Sequence, residues 1–255
     1  MLGAMEDSRI AIVTGATSGI GAATARTFIQ RGYGVIGSGR NAEALAALQS
    51  ELGDSFVGVV GDVNEPNTLS KLFEASQTRF GRPVDLVVAN AGRGLGGSVK
   101  DADLAEFESL LATNVTATLR LLQRAAQDMV ALQADRFPKQ AADIVVIGSV
   151  VGRNVSPFSA VYGSTKFAVH GMTEALRREV AGLGVRVSLV EPGIVVSGFQ
   201  AIAGYSAELV DKFHQDFGPL LTSEDVAETI AFVVGLPPHV HISDIVVRPT
   251  RQNYP

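Results

Sequence analysis

The sequence predicts an α/β protein in which one parallel β-sheet carries helices on both faces, and two observations lead to this prediction. Seven short apolar runs rich in Val and Ile recur along the 255 residues, and segments with helical periodicity separate them. Each run is nearly continuous in apolar residues, which is typical of strands that are buried on both faces. Because crossovers between parallel strands are right-handed, the helices between them cover both faces of the sheet.

The predicted strands leave room for a helix between most consecutive pairs. They are IAIV (10–13), GVIG (34–37), FVGVV (56–60), DLVVA (85–89), DIVVI (143–147), VRVSLV (185–190) and DIVV (244–247). Helical segments with recognisable ends lie between them, namely residues 20–30 before Gly32, 42–52 after the cap Asn41, 66–80 before Gly81, and 226–234 behind the capping pattern Thr222-x-x-Asp225.

Two segments interrupt this alternation. Residues 103–132 form a long helical stretch that contains Asn114. Residues 197–221 form a loop with scattered glycines and a weak helical pattern. Both follow strands on the side where open α/β sheets bind ligands, and the second is the expected substrate loop. No linker or charge block divides the chain, so we expect a single domain over residues 1–255.

The composition excludes several classes of function. The chain is 46% hydrophobic and 18% charged, carries a formal net charge of -5 and contains no cysteine, which rules out disulfides and thiolate chemistry. Its basic residues are scattered, so nucleic acid is not an expected partner. No apolar run reaches the ~20 residues that cross a bilayer, and the N-terminus lacks the features of a signal peptide. We therefore expect a cytoplasmic protein with no membrane partner.

No metal site is expected either. The chain has four histidines, and among them only His239 and His241 lie close together in sequence. This pair lacks flanking acids at ligand spacing.

The first strand runs into the glycine-rich stretch TGATSGIG (14–21), and a predicted helix follows it. Glycines at positions 15, 19 and 21 allow a tight turn, a close approach of the backbone to a pyrophosphate, and packing of helix on strand. The N-terminus of the helix offers N–H groups to the anion. The triplet alone is also compatible with a simple tight turn, but the flanking strand and helix favour a dinucleotide-binding loop.

Residues 160–180 read AVYGSTKFAVHGMTEALRREV, and their spacing predicts a helix with Tyr162 and Lys166 one turn apart on the same face. Taken alone, such a pair is commonly a solvated ring beside a lysine that extends to water. Reduction of a carbonyl by hydride, however, produces an alkoxide that needs a proton donor. A phenol ionises near pH 10, and a cation at ~4 Å contributes on the order of 4 kcal/mol before desolvation, enough to bring the pKa of Tyr162 near 7.

The glycine spacing G-x-x-x-G-x-G and the Tyr-x-x-x-Lys pair resemble the short-chain dehydrogenase/reductase family in its single-domain form. The resemblance covers essentially the whole chain, because further motifs occur in the family's order. They are Asp62-Val63 after the third strand, Asn90-Ala91-Gly92 after the fourth, Asn114 in the long crossover helix, Ser149 at the end of the fifth strand, and Pro192-Gly193 with Val195 and Ser197 after the sixth. The departures are mild: Ala89, Gly148 and Ser197 stand where the family often has Asn, Ser and Thr.

The resemblance implies a Rossmann-type, doubly wound three-layer α/β/α sandwich with a seven-stranded parallel sheet in the order 3-2-1-4-5-6-7. It implies that Tyr162 is the general acid/base and that Lys166 lowers the pKa of Tyr162 and holds the ribose. Ser149 would polarise the substrate oxygen, and Asn114 would hold a water on the proton path. Because the family usually pairs its long crossover helices across a two-fold axis, we expect a homodimer or homotetramer; the stripe Gly163, Phe167 and Gly171 suits close helix contact.

The resemblance also implies a set of residues that contact the cofactor along the carboxyl ends of the strands. They are Gly15, Thr17, Ser18, Gly19, Ile20 and Gly21 in the glycine-rich turn, Arg40 after the second strand, Asp62 and Val63 at the adenine, Asn90, Ala91 and Gly92 after the fourth strand, Tyr162 and Lys166, and Pro192, Gly193, Val195 and Ser197 after the sixth.

The end of the second strand indicates which nicotinamide cofactor is bound. Where an NAD enzyme has an acid for the ribose 2′-hydroxyl, this chain has Gly39 followed by Arg40. A guanidinium there matches the 2′-phosphate of NADP in shape and charge. Arg40 could also be a solvated side chain beside the cap Asn41, but the expected cofactor is NADP(H).

The predicted substrate pocket consists mostly of small and apolar residues. It is expected from residues 93–96, from residues 150–158, and from the loop that carries Phe199, Tyr205 and Phe213. Arg93 and Arg153 are candidate partners for a substrate carboxylate; the alternative is that they are surface residues.

Together these features predict an NADP(H)-dependent oxidoreductase that interconverts a carbonyl and a secondary alcohol of a small hydroxy acid, alcohol or ketone. A reductase of 3-oxoacyl thioesters is the alternative reaction. A redox sensor that binds NADPH without turnover is the alternative class, but the combination of Ser149, Tyr162 and Lys166 argues against it, because a sensor needs no proton donor.

Overall fold

The computed structural model describes residues 8–156 and 159–254. Over this part of the chain seven strands form one parallel sheet in the order β3-β2-β1-β4-β5-β6-β7, which confirms the predicted fold class and strand order. The strands are β1 (Ile10–Thr14), β2 (Gly34–Gly39), β3 (Phe56–Val60), β4 (Leu86–Ala89), β5 (Ala142–Ile147), β6 (Val185–Pro192) and β7 (Asp244–Val247).

Helices connect the strands and also fill the two irregular segments. They are α1 (Gly19–Gln30), α2 (Ala42–Leu52), α3 (Pro66–Phe80), α4 (Leu104–Leu111), α5 (Thr118–Gln133), α6 (Ala160–Val180), α7 (Phe199–Ile202), α8 (Ala207–Phe217) and α9 (Ser223–Val234). Among the described residues, none of these helices has the length and apolarity needed to cross a membrane.

Both faces of the sheet are buried. Ile10 and Ile12 of β1 belong to one apolar cluster, with α3, α5 and α6, whereas Ala11 and Val13 belong to a second cluster with α1, α2 and α9. Successive side chains of a strand point to opposite faces, so a strand between two helical layers needs apolar residues at every position. This explains why the strands appear in the sequence as continuous apolar runs.

Local capping chemistry sets the helix bounds that the sequence predicts. The Asn41 side chain accepts the N–H of Ala44 at 3.0 Å at the start of α2. Gly81 ends α3 in the left-handed conformation, with φ 63. Thr222 and Asp225 form a reciprocal capping box at the start of α9.

The two irregular segments differ from their predicted form. The long crossover helix is continuous but contains a π-turn at Ala112–Ala117, between α4 and α5. The predicted loop 197–221 contains α7 and α8, and the Ser206 hydroxyl caps α8 by accepting the N–H of Leu209 at 3.3 Å. Phe213 is the one buried residue of α8, so the helical period of this segment carries little apolar signal.

A buried ion network holds the amino ends of β1, β5 and β6 together. Asp143 accepts the Nε–H of Arg186 at 2.7 Å and lies 2.6 Å from Nη1 of Arg9, with its side chain only 2% exposed. Arg186 also donates to the carbonyls of Leu236 and Pro237, at 3.0 Å each. Asp143 therefore neutralises two guanidinium groups that are removed from water.

We predict that Asp143→Ala lowers the free energy of unfolding by about 3–5 kcal/mol, because it leaves the buried Arg186 without a counter-charge and Arg9 with Asp85 as its acid. The matched control is Asp128→Ala, which removes an acid from an exposed pair with Arg124 on α5. The control should cost less than about 1 kcal/mol. Urea denaturation of both variants measures the difference, and equal losses would contradict a special role for the buried network.

Candidate active site

The glycine-rich turn between β1 and α1 favours glycine at three positions. Gly15 and Gly19 have φ of 68 and 53, values that favour glycine. A Cβ at Gly21 would lie 2.2 Å from the carbonyl oxygen of Gly15, so helix and turn touch through backbone alone. The turn therefore presents bare backbone and the N-terminus of α1 at the carboxyl edge of the sheet, an arrangement that can bind a pyrophosphate.

The other predicted residues of this turn have separate contacts. The side chain of Thr17 packs against Gly39, Ser18 precedes the first residue of α1 in an extended conformation, and Ile20 packs against the apolar core. Thus Ser18 marks the helix N-terminus, while Thr17 and Ile20 help to fix the turn.

The end of β4 is tied to the glycine-rich turn by hydrogen bonds. The Thr14 hydroxyl accepts the N–H groups of Asn90 at 3.1 Å and of Ala91 at 3.0 Å. Asn90 also donates through Nδ2 to the Thr14 carbonyl at 2.9 Å. Its amide group therefore holds the turn in place. A Cβ at Gly92 would lie 3.2 Å from Oδ1 of Asn114, so the next residue is kept small by the crossover helix.

Two further predicted regions face the same edge. Val63, Ala91 and Thr113 line a largely apolar pocket that also reaches Thr14, at the place expected for an adenine. Asp62 shapes the turn after β3 by accepting the N–H of Asn64 at 2.9 Å.

The loop after β6 closes the opposite side of the cleft. Pro192 ends β6, and the Gly193 N–H donates to the Val247 carbonyl at 2.7 Å. Val195 is 7% exposed and forms a parallel bridge with Leu221. A Cβ at Gly19 would lie 3.8 Å from Cβ of Ser197, so this loop and the glycine-rich turn meet across the expected cofactor path.

Gly39 and Arg40 end β2 beside the turn. A Cβ at Gly39 would lie 2.3 Å from Cγ2 of Thr17, so the position where an acid would be expected in an NAD enzyme has no space for a side chain. Arg40 is exposed, and within residues 8–156 and 159–254 no carboxylate forms an ion pair with it. Its guanidinium is therefore available to an anion.

The structure brings Ser149, Tyr162 and Lys166 together at the carboxyl end of β5. The Ser149 hydroxyl lies beside the Tyr162 phenol and lowers the pKa of that phenol. Nζ of Lys166 donates to the Ile147 carbonyl at 2.7 Å and lies 5.8 Å from the centroid of the Tyr162 ring. Tyr162 is 7% and Lys166 is 9% exposed, so the pair is buried rather than solvated.

Burial is the main cause of the pKa shifts of Tyr162 and Lys166. Desolvation raises the pKa of Tyr162 above its ordinary value, and the hydrogen bond with Ser149 opposes that rise only in part. Burial likewise lowers the pKa of Lys166 to about 8. That Lys166 brings the pKa of Tyr162 near 7 stays a prediction for the complex with bound cofactor. In the protein by itself, desolvation of the phenolate opposes this effect, and Nζ of Lys166 is bound to the Ile147 carbonyl.

Asn114 lies in the π-turn and is 1% exposed. Its Oδ1 accepts the N–H of Arg93 at 3.0 Å, and its Nδ2 donates to the Arg93 carbonyl at 3.0 Å and to Oγ1 of Thr165 at 3.1 Å. The side chain thus joins the segment after β4 to Thr165 of α6. Thr165 directly precedes Lys166 in sequence. Insertion of a π-turn at this point agrees with the common position of such turns at functional sites.

Aromatic side chains cover the pair from the predicted substrate loop. The Phe199 ring lies 5.4 Å from the Tyr162 ring in an edge-on arrangement. Tyr205 is hydrogen-bonded to Ser159 and packs 6.1 Å from the Phe213 ring. Residues 157 and 158 of the predicted pocket lie outside the described residues.

The two arginines predicted as possible carboxylate partners are both paired within the protein. Arg93 binds the Glu106 carboxylate. Arg153 binds Glu191 through two N–H groups at 2.6 Å each and Asp244 at 2.5 Å. Arg153 is exposed and Arg93 is half-buried, so the alternative of a surface residue holds for Arg153, and both side chains form intramolecular ion pairs.

The sequence gives no sign of one further contact at this edge, which comes from the C-terminal tail. Gln252 is 5% exposed, and its Oε1 accepts the N–H of Ile194 at 2.9 Å. A Cβ at Gly193 would lie 2.3 Å from the same oxygen, so a larger residue there would displace the Gln252 amide. The Tyr254 hydroxyl donates to the Val155 carbonyl. The tail thereby fixes the loops after β5 and β6. No local sequence motif predicts these contacts.

Within the described ranges no group of three or more His, Asp or Glu side chains is arranged to hold a metal ion.

A model of the family described as short chain dehydrogenase matches residues 9–204, which is most of the chain. The chain belongs to the short-chain dehydrogenase family. It is therefore an oxidoreductase of a family that binds a nicotinamide cofactor.

Individual short-chain dehydrogenases resemble this one along nearly their whole length. A serine 3-dehydrogenase of Agrobacterium fabrum is 33% identical over 245 residues, which covers 95% of this chain and 94% of the relative. The closed form of a serine dehydrogenase complexed with NADP+ has a TM-score of 0.84 at 31% identity, covering 96% of each chain. A 3-ketoacyl-(acyl-carrier-protein) reductase of Brucella melitensis complexed with NADH has a TM-score of 0.86, covering 97% of this chain and 99% of that chain; its 24% identity shows the fold alone.

The lowered pKa of Lys166 has a measurable consequence for stability. Between about pH 8 and the ordinary value of 10.5, the unfolded chain holds a proton on Lys166 that the folded protein has lost. The Lys166 contribution to the free energy of unfolding should therefore rise with pH across this window, by up to about 3 kcal/mol. Subtracting the urea-unfolding curves of Lys166→Met from those of the parent isolates this contribution. Lys139→Met, which removes an exposed ammonium, should not change the pH dependence; a flat difference for Lys166→Met would refute the predicted shift.

Proposed function

We propose that the protein is an NADP(H)-dependent oxidoreductase that interconverts a carbonyl and a secondary alcohol, with Tyr162 as the general acid/base. The observation that carries this proposal is the convergence of Tyr162, Ser149 and Lys166 at the end of β5. A proton donor, a hydroxyl bonded to it and a buried amine form the group that reduction of a carbonyl to an alcohol requires.

The glycine-rich turn fits a dinucleotide, because it leaves bare backbone where a Cβ would obstruct a pyrophosphate. Gly39 provides no acid for a ribose 2′-hydroxyl, and Arg40 is exposed and free of ion pairs within the described residues. The similar serine dehydrogenase is complexed with NADP+. We therefore assign NADP(H) as the cofactor, which when bound supplies or accepts the hydride at its nicotinamide ring.

Each residue of the group has a separate task in this reaction. Ser149 donates a hydrogen bond to the substrate oxygen and so stabilises the charge that develops there. Tyr162 gives its proton to that oxygen during reduction; its raised pKa keeps the phenol protonated at neutral pH, in the form a donor needs. Lys166 is the only one of the three that carries a positive charge, and it favours the phenolate left after the transfer.

Asn114 supports this group. Its two Nδ2 hydrogens donate to Arg93 and Thr165, and its Oδ1 accepts from Arg93, so we assign it the task of fixing α6 against the segment after β4. A water on the proton path from Lys166 would then be held by the backbone around the π-turn, where the hydrogen-bond register of the helix is interrupted.

For the substrate we propose a small hydroxy acid, alcohol or ketone. Aromatic and apolar side chains surround Tyr162, which suits a small molecule with limited charge. The relative from Agrobacterium fabrum is a serine 3-dehydrogenase, so serine and other 3-hydroxy acids come first in a substrate screen. Because Arg93 and Arg153 already bind carboxylates, alcohols and ketones without an acid group belong in the same screen.

The screen follows the NADPH absorbance band in both directions, with NADP+ and alcohols or with NADPH and ketones and aldehydes. Turnover of a small alcohol or ketone supports the proposal. Tight NADPH binding without turnover across the panel would favour the redox sensor instead.

We also propose that the chain assembles as a homodimer or homotetramer in the cytoplasm. Leu119 on α5 and Phe167 on α6 are 52% and 45% exposed, which leaves apolar surface on the two long crossover helices. Sedimentation velocity that finds only monomer at micromolar concentration would rule this assembly out.

Tyr162→Phe should lower kcat by about 10²–10⁴-fold, because it removes the proton donor while keeping the ring in its apolar site. The Kd for NADPH should stay within about twofold, since proton transfer rather than binding is impaired. Tyr33→Phe is the matched control, because Tyr33 packs against Phe28 on the far side of the sheet. Steady-state kinetics and NADPH fluorescence titration test both, and full activity of Tyr162→Phe would exclude it as the acid.

Arg40→Asp should weaken or reverse a preference for NADPH over NADH that we expect to be at least about tenfold in kcat/KM. The reason is that the guanidinium attracts a 2′-phosphate, whereas a carboxylate repels it and accepts from a 2′-hydroxyl. Lys139→Asp makes the same change in net charge between α5 and β5 and should leave the preference unaltered. Equal use of the two cofactors by the parent would exclude the assignment of Arg40.

A further inference from the structure

His170 lies directly behind Ser149, one helical turn after Lys166 on α6. Its Nε2 is 3.3 Å from the backbone nitrogen of Ser149, which donates its N–H to the ring. The His170 side chain is 13% exposed. A titratable ring is thus bound to the residue that, in the proposed function, holds the substrate oxygen.

The two glycines that flank Ser149 leave the space that this ring occupies. A Cβ at Gly148 would lie 2.4 Å from Nε2 of His170, and a Cβ at Gly152 would lie 2.4 Å from Nε2 and from Cε1. Both values are well inside contact distance, so no larger residue fits at either position while the ring is there. Gly148 is also one of the positions where the chain departs from the pattern it resembles, and His170 gives that departure a physical reason.

The far side of the ring faces an ion cluster of one arginine and two acids. Nδ1 of His170 lies 3.6 Å from Oε2 of Glu191, a carboxylate that is fully buried and already bound by Arg153 at 2.6 Å. Arg153 is also bound to Asp244, so its charge is shared between two acids. The Glu191 carboxylate is thereby already bound by a guanidinium at hydrogen-bond distance, whereas the His170 ring lies farther from it.

Burial and two nearby cations favour the neutral form of the ring. Burial is the main cause that lowers the pKa of His170 to about 4; Lys166 and Arg153 lower it further, and Asp244 opposes them. A neutral imidazole has one N–H, and a ring whose Nε2 accepts from Ser149 must carry that hydrogen on Nδ1. Protonation would place two donors face to face and break the bond to Ser149.

We propose that His170 is a positioning residue for the reaction, in which the unprotonated Nε2 fixes the backbone of Ser149 and thereby aims its hydroxyl at the substrate oxygen and Tyr162. This rests on the proposed function for the role of Ser149. The Ser149 backbone is extended, with φ -172 and ψ 153, and its Oγ also accepts the N–H of Val151 at 3.4 Å. Rotation of this backbone would move the hydroxyl away from the phenol.

The first test compares His170→Leu, which fills similar space without an acceptor, with His170→Gln, whose amide oxygen can accept the same N–H. We expect His170→Leu to lower kcat about tenfold with the Kd for NADPH within about twofold, and His170→Gln to recover most of the loss. His241→Leu is the matched control, because His241 is a partly buried histidine whose Nε2 contacts the Val187 carbonyl before β7. It should keep the parent kcat. Parent-like kcat in His170→Leu would overturn the proposal.

The second test reads the ring itself and needs no turnover. Nitrogen NMR of the ¹⁵N-histidine-labelled parent should show one neutral ring with its hydrogen on Nδ1 at pH 7, unchanged down to about pH 5, and absent from His170→Gln. A His170 ring with its hydrogen on Nε2, or charged at pH 7, would overturn the proposal. Failure of the proposed function is distinct: it would appear as no turnover by the parent, or as full activity of Tyr162→Phe, whatever the NMR spectrum shows.

Discussion

The parallel register of β4, β5 and β6 is the constraint on which the whole cleft depends. Parallel strands end at one edge, so the residues that follow each strand meet there, although they are far apart in sequence. The pairings Ala89 with Val146 and Ile147 with Val190 align these ends. Ile147 also positions α6 relative to these strand ends, because its carbonyl accepts a hydrogen bond from Nζ of Lys166. A slip of one residue would turn every side chain to the other face and separate the phenol from the hydroxyl that it contacts.

Burial sets the chemistry of the cleft as much as proximity does. It pushes both Tyr162 and Lys166 toward their neutral forms, one pKa upward and the other down to about 8. The protein by itself therefore holds the phenol as a protonated acid, which suits reduction of a carbonyl. The reverse reaction needs a phenolate, and the additional stabilisation has to come from the positive charge of an oxidised nicotinamide together with Lys166.

Much of the fold and part of the site could be predicted from the sequence, because the signals were local. Continuous apolar runs mark strands buried on both faces, and caps such as Asn41 set helix ends within one turn of chain. The spacing of Tyr162 and Lys166 likewise places them on one helix face. The rest depends on contacts between distant segments. The π-turn at Asn114, the bond from His170 to Ser149 and the bond from Gln252 to Ile194 have no periodic or motif signal. The raised pKa of Tyr162 could not be predicted either, because it depends on how completely the folded protein excludes water from the phenol.

The most direct test of the central claim is an ultraviolet titration of the Tyr162 phenol, taken as the difference between the parent and Tyr162→Phe, with and without saturating NADP+. If Tyr162 is the acid/base of a nicotinamide-dependent reaction, its phenolate should appear above the ordinary pH for tyrosine without NADP+, and at clearly lower pH when NADP+ is bound. A phenol that ionises at the same pH in both conditions would contradict the account.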